Sequence, residues 1–152
     1  TNAPPPEPTG PDHLPPAEGD THPPARPPEA HDNQRIAIGK PQGIVIRPDP
    51  EMGMRQGYML EANYGSGYRN APGFQGIGAQ PQLDHRYINE DVGYGLVFMS
   101  ELGRQVGVAT PGIDAVINVA SIVMARDYKG ESLRTPETLG IAELSAEELG
   151  SL

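Results

Sequence analysis

Apolar residues are unevenly spread along the chain, and their spacing divides it. The densest stretch is "ATPGIDAVINVASIVMARDYKG". Thr110 is a good N-cap, Pro111 fits a first helical position and Asp114 falls in the first turn. Many of the residues that follow are β-branched, which favours a strand on propensity alone. Length decides for a helix, closed by Arg126 and Lys129. Being apolar on nearly all sides, this helix is expected to lie centrally, packed on several neighbours. Just upstream, "NEDVGYGLVFMSELGRQVG" places Val92, Leu96, Val97, Met99, Leu102 and Val106 on a helical stripe, with Gly107 as its stop. Asn89, Glu90 and Asp91 suit the start of that helix, where side chains cap free amides and negative charge meets the dipole. Gly93 and Gly95 weaken its first turns.

Shorter patterns flank these two. "RIAIGKPQGIVIRPDP", residues 35–50, reads as a small β-hairpin around Gly39–Gly43. A short helix is expected from Met54 toward Gly65, and "GSGYRNAPGFQGIGAQPQL" reads as a long loop. At the far end, Thr135-Pro136 opens a turn that Gly140 closes. Ser145-Ala146-Glu147-Glu148 forms a capping box ahead of Leu149. The folded part is therefore mainly α. A helix apolar on all sides needs more partners than about 100 residues supply, so one surface is expected to meet a second copy or a missing part of the chain.

Composition changes the picture at the front. Eleven of the first 33 residues are proline, against seven in the remaining 119, and that stretch holds one leucine and no valine, isoleucine or aromatic residue. It cannot bury enough apolar surface to offset the entropy of ordering it, so residues 1–34 read as a disordered proline-rich segment. Residues 35–55 follow as a linker with the short hairpin, and 56–152 as the helical domain. Net charge is −9, and no basic patch interleaves with aromatics, which argues against nucleic acid and anionic membrane as partners. There is no cysteine, so thiolate chemistry and disulfides are excluded. No apolar run is long enough for a membrane span, and with no basic leader before an apolar run the expected location is cytoplasmic.

Candidate chemistry is sparse. No G-x-G-x-x-G occurs; the glycine pairs 65/67 and 76/78 neither follow a strand nor open a helix, so no dinucleotide is expected to bind this chain alone. His13, His22 and His31 recur every nine residues, a spacing unlike that of zinc ligands, and no metal site is expected. The charge is concentrated in "DHRYINED", residues 84–91. Arg86 and Glu90, four apart, suit an ordinary surface pair on one helix. The other reading uses chemical type. A guanidinium fork grips a carboxylate in two hydrogen bonds, and an aspartate can orient a histidine and favour its imidazolium, so the run suits a site for a 2-oxo acid.

These residues carry a resemblance. "LDHRYINEDVGYGLVFMSELGRQVGVATPGIDAVINVASIVMARDY" resembles the C-terminal helical domain of the opine dehydrogenases, the octopine/nopaline dehydrogenase group. That family's pattern runs H-R-Y-x-x-E-D-[VI]-P-Y-G-L-V, then G-V-x-T-P and an apolar helix ending in R-D-[FY]. The likeness covers about residues 56 to 149, including "NYGSGYRNAPGFQGIGA", with residues 1–55 outside it. The resemblance implies an NAD- or NADP-dependent oxidoreductase that joins an amino acid to a 2-oxo acid as an imine and reduces it. It implies a Rossmann domain, absent from this chain, whose substrates meet the helical domain between the two. It maps a substrate-binding arginine onto Arg86 and the aspartate of a histidine–aspartate pair onto Asp91. Gly93 stands where the family has proline. The family's histidine lies upstream in the helical domain, and no histidine here fits that position: three sit in the proline-rich tail and His85 adjoins Arg86 inside the motif. The expected function is a partial oxidoreductase, inactive until joined by its Rossmann half, with oligomers allowed. Two other readings stay open: a small helical interaction module with the proline-rich tail as its ligand, and a degenerate fragment.

Overall fold

The longest helices are α1 (Pro27–Gly39) and α6 (Pro111–Met124), and their contact sets the frame. The computed structural model describes residues 27–76 and 81–152. Between the two long helices come α2 (Asp49–Arg55), α3 (Ser66–Arg69), α4 (Arg86–Glu90), a π-helical turn (Asp91–Leu96) and α5 (Val97–Gln105). After α6 lie α7 (Tyr128–Glu131) and α8 (Ala146–Gly150). Short 3-10 turns cover Lys40–Gln42 and Pro72–Phe74. No strand occurs among the described residues. The fold is mainly α, as the periodicity indicates.

The core forms where α5, α6, the π-helical turn and α7 converge. Val92, Val97, Ile113, Ile117 and Tyr128 are buried together, with Ile88, Leu96, Met99, Ala120 and Met124 packed against them. α6 differs from its expected surroundings. Ile113 and Ile117 face the core, but Val119, Ile122 and Val123 are 61%, 79% and 57% exposed. An all-round apolar helix here buries one side only. The two sides give a contrast in stability. Ile117→Ala is expected to cost about 2–5 kcal/mol, because the cavity it leaves cannot collapse. Ile122→Ala should stay within about 0.5 kcal/mol. Urea denaturation of the two variants checks this, and equal losses would contradict the packing.

The front of the chain departs from its reading. Residues 27–34, expected within the disordered segment, form the first turns of α1; residues 1–26 lie outside the described residues. Tertiary contact outweighs the weak local preference, as Gln34 Oε1 accepts a hydrogen bond from the Ile113 amide at 3.0 Å and Asp32 is buried with partners of its own. The hairpin over 35–50 is not formed. α1 continues to Gly39, Pro41 lies in the 3-10 turn, and Gly43 ends it with a left-handed φ of 69°. The Ile44 amide bonds back to Gly39 O at 3.0 Å, so the glycine–proline–glycine run is a helix stop and not a strand turn. The helix expected from Met54 is displaced upstream. Pro48 and Pro50 open α2 and Gly57, at φ 78°, ends that segment.

The second half follows the sequence closely. Gly107 sits at φ 75° just past α5, Thr110 holds the N-cap position of α6, and the Ser145–Glu148 capping box is complete. The start of the α4–α5 segment differs. It begins at Arg86, behind His85 as N-cap, so Asn89–Asp91 lie inside it, and the two glycines sit within the π-helical turn.

Candidate functional site

α4 begins where His85 adopts extended backbone and its Nδ1 accepts the Tyr87 amide at 3.3 Å. The two rings meet edge to face, 4.7 Å apart. One turn later Asn89 is tied from three directions. Its Oδ1 accepts from the Tyr128 hydroxyl at 2.6 Å and from Arg126 at 3.0 Å, and its Nδ2 donates to Asp84 Oδ1 at 2.9 Å. Arg126 also pairs with Glu131 and lies 5.1 Å over the Tyr128 ring. The helix then widens into the π-helical turn, a feature that often accompanies functional sites.

Arg86 and Asp91 both stand on this segment and both are exposed. The Arg86 side chain is 67% accessible and pairs with Glu90 at 3.5 Å, the ordinary surface pair that the spacing allows. Such a pair holds an exposed guanidinium weakly, by a few tenths of a kcal/mol. The Asp91 carboxylate makes no hydrogen bond or ion pair with another described residue, and none links it to Arg86. The segment thus presents a nearly unspent cation and an unspent anion at its surface.

A second cluster, which the sequence gives no reason to expect, is built on α1. Asp32, 6% exposed, accepts from Arg35 Nε at 2.9 Å, the Asp49 amide at 2.7 Å and the Tyr64 hydroxyl at 2.7 Å. Burial alone would raise its pKa, but these hydrogen bonds outweigh it and hold the carboxyl below its ordinary value. Burial, with the facing Asp32 charge, pushes Asp49 up. Burial and the bond to Asp32 push the Tyr64 hydroxyl up. Next to this hub, His31 lines a cavity of about 180 Å³ together with Tyr64, Tyr68, Leu96, Met99 and Ile113.

The hub carries a pH prediction. A depressed folded pKa stabilises the fold fully above the unfolded value and loses that contribution as pH falls through the folded one. Asp32→Asn is therefore expected to cost about 1–3 kcal/mol at pH 7, with the difference shrinking as the pH drops below 4. Urea titrations at pH 7 and pH 3 read it; a deficit of equal size at both would rule out the charged hub.

Asp114 closes a third cluster. It accepts from Ser100 at 2.7 Å, Lys129 at 2.9 Å and Thr110 at 3.2 Å, tying α5, α6 and α7 together. Burial pushes its carboxyl up, but the Ser100 and Lys129 contacts prevail and hold it low. Among the described residues no group of three or more metal-ligating side chains forms, and His13 and His22 lie outside them. No helix among the described residues is long and apolar enough to cross a membrane.

The model of a family described as "NAD/NADP octopine/nopaline dehydrogenase, alpha-helical domain" matches residues 17–124. The chain is 37% identical over 118 residues to an opine dehydrogenase from Arthrobacter sp. (strain 1C), across 78% of this chain and 33% of that relative. The chain spans about a third of the relative's length. The match corrects the expected boundary. Residues 17–55 fall inside the family likeness and not outside it, so α1, with His31 and Asp32, lies within the matched region.

Proposed function

Because the chain belongs to the NAD/NADP octopine/nopaline dehydrogenase family through its alpha-helical domain, we propose that it is the substrate-facing part of an opine dehydrogenase-like oxidoreductase. In this reading an amino acid and a 2-oxo acid condense to an imine, which is then reduced. The observation that carries it is the surface-exposed motif Arg86-Tyr87-Ile88-Asn89-Glu90-Asp91, buttressed from behind and unspent in front. Arg86 supplies a fork for the 2-oxo acid's carboxylate; Glu90 gives way at little cost. Asp91 orients a histidine and favours its imidazolium, which donates a proton to the keto oxygen. Among the described residues, His31 lies in the matched region and lines a cavity, which makes it the candidate for that acid.

The described residues do not fit a dinucleotide. They contain no strand, and Gly65 precedes a helix of only four residues. The nicotinamide cofactor and the Rossmann domain that holds it are therefore assigned to another portion of the enzyme, which would also cover Arg86 and Asp91. The test is NADH or NADPH oxidation with pyruvate and a panel of amino acids, with the chain alone and joined to that portion. Turnover only in the joined form supports the proposal. Turnover by the chain alone refutes the division of labour, and none in either form refutes the activity.

A further inference from the structure

Asp91 makes no side-chain bond of its own, yet the chain on both sides of it is fastened to one stretch, residues 126–132. Two residues before it, Asn89 takes the Tyr128 hydroxyl at 2.6 Å and Arg126 at 3.0 Å. Two residues after it, Gly93 O accepts from the Ser132 hydroxyl at 2.7 Å. The Tyr128 ring lies between these fastenings, 2% exposed, and passes so close to Gly93 that a Cβ there would stand 3.3 Å from its edge. Residues 126–132 thus grip the inward side of the α4–π segment at two points. In a helix, residues four apart share a face, so holding positions 89 and 93 inward turns position 91 outward.

We propose that Asn89, Tyr128 and Ser132 are positioning residues: they form a clamp that fixes the angle at which Arg86 meets the 2-oxo acid and Asp91 meets its histidine. The π-helical turn makes such a device necessary. A wide turn containing two glycines has little local preference for one geometry, and without the clamp its two charged residues would sample several. Asp84 completes the grip by taking the Asn89 amide group, which leaves Asn89 free of any need to rotate. The Arg126 side of the clamp is held in turn by Glu131. The inference rests on the proposed reaction, because the clamp matters only if Arg86 binds the 2-oxo acid and Asp91 orients the acid histidine.

The experiment uses the enzyme in which this domain is joined to its cofactor-binding portion, with pyruvate as the 2-oxo acid. Asn89→Ala is expected to raise KM for pyruvate about tenfold and to lower kcat, with KM for the amino acid changed less than about twofold. Tyr128→Phe removes one hydrogen bond and keeps the ring, so its effect on the pyruvate KM should be smaller, about two- to tenfold. Hydrogen exchange over residues 86–96 should quicken in both. A role limited to stability would lower the active fraction, hence kcat, and leave the KM values alone. Should Asn89→Ala fail to fold, Tyr128→Phe and Ser132→Ala, which disturb no packing, decide the matter. Faster exchange with unchanged pyruvate KM in the folded variants overturns the proposal and leaves the activity standing. Unchanged exchange overturns it as well. A parent enzyme that condenses no pair of substrates sinks the functional reading and the clamp's purpose with it.

Discussion

Asp91→Asn, introduced into the enzyme that joins this domain to its cofactor-binding portion, is expected to lower kcat about a hundred- to ten-thousandfold. The same change should move folding stability by less than about 0.5 kcal/mol, because Asp91 is exposed and bonded to no other described side chain. That separation is the point of the experiment. In the proposed reading, a carboxylate with no side-chain partner among the described residues acts on a group brought to it by the rest of the enzyme. Asparagine keeps the shape and one acceptor but loses the charge that favours an imidazolium. Arg86→Lys should act on binding, raising the pyruvate KM by replacing a planar fork with a point charge. Glu90→Gln, which only releases Arg86 from an exposed pair, should leave both constants near those of the parent. A stopped-flow and steady-state comparison of the three reads the difference. Asp91→Asn within threefold of the parent would remove Asp91 from the chemistry.

Much of the helical half was legible because its signals are local. Thr110-Pro111 opens α6, Gly107 ends α5 and Ser145 with Glu148 caps α8, each for a reason confined to a few residues. Arg86 and Asp91 stood out by chemical type, and the structure puts both on the surface of one segment. The front was illegible because its causes are distant. Nothing near Asp32 announces that it will be buried; its partners Asp49 and Tyr64 lie 17 and 32 positions away. Proline density up to residue 28 suggested disorder, yet the helix begins inside it, held by contacts with α6. The apolar circumference of α6 predicts central burial, whereas Val119, Ile122 and Val123 face outward. Periodicity reports which residues are apolar, but it does not say which neighbour covers them. The π-helical turn escaped for a related reason, since one extra residue in a turn leaves no mark beyond two glycines that also suit an ordinary weak helix.

The choice of proton donor is where these two halves meet, and a pair of histidine substitutions separates them. His85 adjoins Arg86 in the motif, but its Nδ1 is occupied in capping α4. His85→Gln should cost about 0.5–2 kcal/mol of stability and little activity. His31, on α1 inside the matched region, borders a cavity that Leu96, Met99 and Ile113 also line. Leu96 closes the π-helical turn that Asp91 opens, so the two clusters share one element. No hydrogen bond joins His31 to Asp91 among the described residues, and catalytic hydrogen bonds often tighten only once substrate is bound. His31→Gln is expected to reduce kcat about a hundred- to ten-thousandfold with little change in either KM. If the two act as one acid, the double variant with Asp91→Asn should be barely slower than the slower single one, because a unit can be lost only once. Additive losses would mean that Asp91 serves some other group. A large loss at His85 with none at His31 would move the acid into the motif itself and leave the α1 cavity as packing.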